Sequence, residues 1–247
     1  MEQQLGKAIV VGASSGIGFE VSLSLLERGF QVYALTSSRD ELLEKVIDSK
    51  HPLQANLHAV QTDLSSAKSR QAALRELRSS KGAYRHLVFV SAIPYGNRLG
   101  MIPVNDVHEV FETNSFAFLD LIQGLVRFFE TPASVVVISS NAAGFPQVGN
   151  SIYGSSKISL ERLALSCALE FRDRGIRVNC LAPTLVDTEM MSLMDEPSRL
   201  GVLNSARSLR PLSITEVTKI VLFLLSPDSN GINGEVINLG KNLTEED

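Results

Sequence analysis

Tyr153 and Lys157 stand four residues apart in Ser151-Ile-Tyr-Gly-Ser-Ser-Lys157, at the head of a long helix-like run. Four residues is about one helical turn, which places the phenol and the ammonium on one face. A cation beside a phenol favours the phenolate and lowers its pKa. A tyrosine so tuned passes a proton to or from an oxygen near neutral pH, the acid/base half of carbonyl chemistry. Ordinary helix surface also carries Tyr and Lys at this spacing, so the meaning of the pair depends on what the rest of the chain supplies.

A place for the other half lies at the amino end. In Val10-Val-Gly12-Ala-Ser14-Ser15-Gly16-Ile17-Gly18 the glycines let the backbone turn sharply and approach a pyrophosphate. Free amides and the helix dipole then attract its charge. Tight strand-to-helix turns also use glycine, but these follow the first strand and open the first helix, as a dinucleotide site requires.

At the end of the second strand a carboxylate would accept from a ribose 2′-hydroxyl and repel a 2′-phosphate. The stretch Val32-Tyr-Ala-Leu-Thr36-Ser37-Ser38-Arg39 has no acid before Asp40. Its hydroxyls and Arg39 suit a phosphate, so NADP(H) is favoured. NAD(H) stays open if Asp40 reaches the ribose and Arg39 only begins a solvated helix.

These residues need a frame, and the apolar pattern provides one. Strands are predicted at Lys7 to Val11, Gln31 to Leu35, Leu57 to Gln61, His86 to Val90, Val135 to Ser139, Arg177 to Leu181 and Glu235 to Leu239. Helical periodicity covers Gly16 to Arg28, Arg39 to Ser49, Ser65 to Ser80, Asp106 to Phe129, Ser151 to Arg172 and Thr215 to Leu225. Strands apolar on both faces, such as Val135-Val-Val-Ile138, suit a parallel sheet covered by helices. The expected fold is α/β: one Rossmann-type, doubly wound parallel sheet of about seven strands spanning the whole chain as one domain, with ligands at the strands' carboxyl ends. The Met- and Leu-rich segment 187–210 is either a lid or a loop and short helix closing the core.

Composition removes several function classes. The 247 residues are 44% hydrophobic and 20% charged with net charge −4, which offers no basic footprint for nucleic acid. Met1 to Lys7 lacks the pattern of a signal peptide, and no apolar run is long enough to span a bilayer, so a cytoplasmic protein with no membrane partner is expected. Cys167 and Cys180 fall in helix and strand patterns that suit core packing. His51, His58, His86 and His108 are scattered without ligand spacing, so surface or satisfied positions and no metal are expected.

In the order and spacing of its motifs the chain resembles the short-chain dehydrogenase/reductase family along nearly its whole length. Gly12-x-x-x-Gly16-x-Gly18 is similar to that family's cofactor signature, and Tyr153-x-x-x-Lys157 to its catalytic one. Val137-Ile-Ser139-Ser140 resembles the strand end that carries the catalytic serine. Ser140, thirteen residues before Tyr153, is the match. Asn114 resembles the helix asparagine of the catalytic tetrad, and Asn179 to Thr188 the segment that closes over the nicotinamide, with Pro183, Val186 and Thr188 touching the cofactor. Asp63-Leu64 resembles the pair beside the adenine, although Asp63 could equally cap a helix, as could Thr188.

The resemblance implies a role for each residue. Ser140 steadies the forming oxyanion, Tyr153 donates the proton, Lys157 lowers the tyrosine pKa and holds the nicotinamide ribose, and Asn114 anchors a water leading to Lys157. Read from the residues alone, Asn114 could instead satisfy helix carbonyls, and Ser140 could bond the next turn. Three departures stand out. Val90-Ser91-Ala92-Ile93 replaces the family's Asn-Asn-Ala-Gly, Thr184 follows Pro183 where glycine is preferred, and Val236 to Gly240 lacks the Asp-Gly-Gly ending. Ser37 occupies the position of the usual NADP-selecting arginine, with Arg39 two residues late.

The expectation is an NADP(H)-favouring carbonyl reductase or alcohol dehydrogenase acting on a neutral, apolar small molecule. Its pocket would be walled by Ile93, Tyr95, Phe145, Met190, Met191 and Met194. The alternatives are an inactive dinucleotide-binding regulator of the same fold and a nucleotide-sugar epimerase, which normally needs a longer chain. Surplus apolar residues on Asp106 to Phe129 and Ser151 to Arg172 predict a homodimer or homotetramer. The acidic end, Glu245 to Asp247, reads as a solvated terminus.

Overall fold

The fold comes from a computed structural model that describes residues 6–48, 54–194, 196–206, 208 and 210–240. In chain order the elements are β1 (Lys7–Val11), α1 (Gly16–Glu27), β2 (Gln31–Thr36), α2 (Arg39–Asp48), β3 (Leu57–Gln61), α3 (Ala67–Ser79), β4 (Tyr84–Phe89), α4 (Val104–Phe111), α5 (Ala117–Leu125), β5 (Phe129–Ile138), α6 (Ser151–Glu170), β6 (Ile176–Pro183), α7 (Glu189–Ser192), α8 (Glu196–Ser205), α9 (Ile214–Leu225) and β7 (Val236–Leu239). The expected acidic tail at Glu245 to Asp247 lies outside the described residues.

The seven strands form one parallel sheet in the order β3-β2-β1-β4-β5-β6-β7. Alternate residues of each strand point to opposite faces, and both faces are covered. On one side Ile9, Val11, Leu87, Phe89, Val135 and Val137 pack under α3, α5 and α6. On the other, Ala8, Val10, Val88, Val136 and Leu181 pack under α1, α2 and α9. The strand order reverses between β1 and β4, and a crevice opens there at the carboxyl ends of the strands.

The helix predicted over Asp106 to Phe129 is instead α4, a π-helical turn at Glu112–Phe116, α5 and a 3-10 turn at Val126–Phe128. Apolar spacing cannot register a local change from i+4 to i+5 bonding, which is why one helix was expected. The next strand starts at Phe129, not Val135, because its first half pairs with Tyr84 and Ile176 at the less apolar edge of the pattern.

His86 is not on the surface and is only half satisfied: its ring bonds the Ser134 backbone through one nitrogen alone. It is buried against the Phe30 ring at 5.0 Å between centroids, and its Nδ1 has no hydrogen-bond partner. Burial pushes the imidazole down to about 3, with the Arg85 and Arg177 charges acting in the same direction. The unfolded chain takes up this proton near 6.5 and the folded one only near 3, so stability present above 6.5 is lost as pH falls through that window. At pH 5 the loss is about 2 kcal/mol. Thermal melts should therefore fall less steeply between pH 7 and pH 5 for His86→Phe than for the wild type; parallel slopes would refute this.

Candidate active site

The turn from β1 to α1 has the shape of a cradle. Gly12 and Gly16 adopt φ of +85° and +54°, where a side chain is strained. A Cβ on Gly12 would lie 2.8 Å from the Ser91 backbone nitrogen, and one on Gly18 would overlap the Gly12 carbonyl oxygen. At Gly16 a Cβ would meet Thr188 Cγ2 at 3.4 Å, so the loop after β6 closes on the glycine turn. Ser15 occupies the N-cap of α1 without a side-chain cap bond, which leaves the first-turn amides available to an anion. Ile17 contributes only backbone, since its side chain belongs to the core.

A cavity of about 190 Å³ continues from this turn along the strand ends. Of the expected cofactor residues, Gly12, Ser14, Thr36, Ser37, Asp63, Leu64 and Ser91 line it. Ile93, Glu109 and Thr113, which sequence reasoning did not assign to the cofactor, line it too. Asp63 does not cap α3; that position is Ser66, whose hydroxyl accepts from Ser69 N. Asp63 Oδ1 instead accepts from the backbone N and the hydroxyl of Ser65, at 3.0 and 2.7 Å. Ala92 adjoins this wall and is half-buried.

Arg39 does not reach the cavity. It opens α2 as an exposed residue, and its backbone N donates to Gln61 Oε1 at 3.2 Å. The cation that does approach is Lys45, one and a half turns later, whose Nζ donates to the Ser14 carbonyl at 3.0 Å and pairs with Glu41 at 2.5 Å. Spacing from the glycine motif could not find it, because α2 folds back across the turn.

Around Tyr153 the elements converge closely. Gly154 lets α6 press onto the turn after β5, since a Cβ there would stand 2.6 Å from the Ala142 carbonyl oxygen. That approach brings the Tyr153 hydroxyl beside Ser140, which acts to lower its pKa and accepts from Ala142 N at 3.2 Å. The Tyr153 ring keeps partial exposure, but desolvation pushes its hydroxyl up to about 12, opposed by Ser140. This reverses the expected depression by Lys157. The Lys157 ammonium is fully buried, lies 5.8 Å from the Tyr153 ring centroid and donates to the Ile138 carbonyl at 2.9 Å.

Asn114 sits in the π-helical turn and is fully buried. Its Oδ1 accepts from Ile93 N at 2.8 Å, and its Nδ2 donates to Ile93 O and Ser156 Oγ, both at 3.1 Å. Both amide hydrogens are thus spent on protein, and the side chain clamps the β4 end to α6. The clamp uses only the backbone of residue 93, which explains why Ile93 can replace the family's glycine. Thr184 is accommodated similarly: Gly240, at φ +63°, leaves room where a Cβ would stand 2.8 Å from Thr184 Oγ1.

Pro183 ends β6, Val186 is buried and bridges to Leu212, and Thr188 precedes α7 without a side-chain cap bond. The segment 187–210 contains α7 and α8. Among the described residues no group of three His, Cys, Asp or Glu could hold a metal, and no helix is long and apolar enough to cross a membrane. Both cysteines are buried and unpaired.

The short chain dehydrogenase family model matches residues 6–198. The chain belongs to the short-chain dehydrogenase/reductase family. It is 28% identical over 240 residues to the vibriobactin-specific 2,3-dihydro-2,3-dihydroxybenzoate dehydrogenase of Vibrio cholerae, covering 92% of this chain and 91% of that one. It is 26% identical over 234 residues to the 3-oxoacyl-(acyl-carrier-protein) reductase of Salmonella typhimurium, covering 94% of each. Similarity to the hydroxynaphthalene reductase of Aspergillus fumigatus is 26% over 241 residues, 92% of this chain and 88% of that one. In fold, a dehydrogenase/reductase from Sinorhizobium meliloti superimposes with a TM-score of 0.87 at 23% identity, over 98% of this chain and 96% of that one. As a short-chain dehydrogenase/reductase this chain is an oxidoreductase of a family that uses nicotinamide dinucleotides.

Proposed function

We propose that this short-chain dehydrogenase/reductase is an NADP(H)-favouring enzyme that reduces a neutral, apolar ketone or aldehyde, or oxidises the matching alcohol, with Tyr153 as proton donor or acceptor. The observation that carries the reading is the Tyr153 hydroxyl placed beside Ser140 and the buried Lys157, at the strand ends next to the glycine cradle. When bound, the nicotinamide supplies the hydride. The chain's own residues do the rest. Gly12, Gly16 and Gly18 admit the pyrophosphate to the α1 amides, and the Thr188 segment closes on them. Ser140 hydrogen-bonds the substrate oxygen, and Tyr153, protonated at neutral pH, delivers its proton there. Lys157 supplies positive charge beneath the phenol as it becomes phenolate. Asn114 holds the β4 wall in register with α6.

Preference for the 2′-phosphate is supported by the Thr36 and Ser37 hydroxyls, the lack of an acid at the β2 end, and Lys45 at the Ser14 carbonyl. Lys45→Ala is expected to weaken NADPH binding about tenfold and leave NADH unchanged, as loss of one charge-assisted hydrogen bond should. Paired fluorescence titrations check it, and equal effects on both cofactors would count against it.

A neutral, apolar substrate is supported by the loops after β4 and β5, tied together by Asn97 N to Gly149 O at 2.8 Å. They carry the exposed Leu99, Met101 and Val148 and the half-buried Tyr95 and Phe145, while Met190, Met191 and Met194, after β6, are half-buried as well. One of the relatives, the hydroxynaphthalene reductase, is named for an aromatic substrate without a carboxylate. The segment 187–210 would act as the lid. Exposed Phe116, Ile158 and Leu169, on the π turn and α6, support assembly as a dimer or tetramer. The reading is tested by titrating NADPH and NADH, then screening ketones, aldehydes and alcohols with the tighter cofactor; turnover restricted to charged acyl thioesters would contradict the substrate class.

A further inference from the structure

Ser139 and Glu161 lie directly behind the proton-transfer residues. They are 3% and 7% exposed, and Ser139 Oγ donates to Glu161 Oε1 at 2.6 Å. Ser139 is flanked by the two residues of the β5 end that the site uses. The Ile138 carbonyl accepts from Lys157 Nζ at 2.9 Å, and Ser140 stands beside the Tyr153 hydroxyl. Glu161 stands one turn beyond Lys157 on α6, as Lys157 stands one turn beyond Tyr153, so the three share a face. A buried carboxylate is costly unless hydrogen-bonded and paired, and mere packing would be served better by an apolar residue. Here the Ser139 hydroxyl and the Lys157 charge compensate it.

We propose that Glu161 is a positioning residue for this site. Its carboxylate holds Ser139, and with it the β5 end, against α6, and it supplies the negative charge that keeps Lys157 an ammonium. The proposal rests on the roles of Tyr153 and Lys157 given above.

The electrostatics agree in sign. Burial pushes the Lys157 ammonium down to about 8, while the Cys180 sulfur and the Glu161 carboxylate act upward. Cys180, on β6, is itself pushed up to about 12 by burial, so it is a neutral thiol at neutral pH. Tyr153, also near 12, is neutral there too. Neither the thiol nor the phenol therefore brings charge to Lys157, which leaves Glu161, one turn away on α6, as the acid acting on it. Burial raises the Glu161 carboxyl itself, opposed by the Ser139 hydrogen bond and by Lys157.

The test compares E161Q, E161A and S139A with the wild type and with Y153F. E161A is expected to lower kcat about tenfold or more through misplacement of the strand end. E161Q keeps an acceptor for Ser139 and should recover most of kcat, while the alkaline limb of kcat/KM moves to lower pH. S139A keeps the charge, so kcat should fall with the limb in place, and S139A/E161A should be no slower than E161A. Independently of turnover, the Lys157 titration followed by NMR with 13C-labelled lysine, assigned with K157R, should shift to lower pH in E161Q. An unchanged Lys157 titration in E161Q, even with a lowered Tm, or a wild-type kcat in E161A, overturns the proposal. If Y153F stays active, or the wild type reduces no carbonyl compound, the assigned reaction fails instead, and the Lys157 titration still decides on Glu161.

Discussion

Tyr153→Phe should lower the rate of carbonyl reduction by about 10³-fold and leave NADPH affinity within about twofold of the wild type, since a general acid contributes on this scale and the ring is kept. The missing oxygen is the group beside Ser140 that desolvation pushes up to about 12. The phenol is thus fully protonated at neutral pH, as an acid in the reductive direction must be. Its own ionisation cannot limit reduction below that range, so a falling alkaline limb near 8 would belong to Lys157. Alcohol oxidation needs the phenolate, and its rate should rise with pH over the range where reduction is flat. Steady-state rates in both directions, with cofactor titration of the variant, check both statements. Comparable turnover by Tyr153→Phe would remove Tyr153 as the proton donor.

Gly12→Val should abolish binding of both cofactors, raising Kd by about 100-fold or more, equivalent to roughly 2.7 kcal/mol. Gly12 holds φ +85°, and its Cβ would stand 2.8 Å from Ser91 N, so a branched side chain must push β4 aside or change the backbone. Ser91 lines the same cavity, and the displacement therefore reaches the cofactor from two sides. Gly18→Val should behave alike, because its Cβ overlaps the Gly12 carbonyl. The milder Gly12→Ala guards against simple unfolding: its circular dichroism should match the wild type while NADPH and NADH both bind more weakly. Unchanged affinity in a folded Gly12→Ala would contradict the cradle. Loss of NADPH binding alone would place the 2′-phosphate, not the pyrophosphate, at this turn.

Much of the fold was legible because two-sided apolar strands such as Val135 to Ile138 and turn glycines such as Gly12 leave few alternatives. What stayed hidden needed tertiary geometry. The π turn at Asn114 has no signature in apolar spacing, yet it determines that the amide clamps Ile93 and Ser156. Lys45 reaches Ser14 across α2, a distance of 31 residues along the chain. Arg39, at the end of the β2 turn in sequence, is exposed and does not line the cavity. Spacing reports the cation beside Tyr153 but not the desolvation that raises its hydroxyl. Glu161 was within reach of the sequence, as the next step of the Tyr153–Lys157 stripe, but its partner Ser139 had been set aside in favour of Ser140.

Deuterium transfer in a single turnover tests the central claim most directly. With NADPH deuterated at the transferring C4 position, the wild-type protein should yield an alcohol carrying that deuterium from at least one neutral ketone or aldehyde. The Tyr153→Phe variant should bind the same cofactor and transfer its deuterium about 10³-fold more slowly. Tight NADPH binding by the wild type with no labelled alcohol across a broad panel of such substrates would contradict the account and favour a dinucleotide-binding protein without this chemistry.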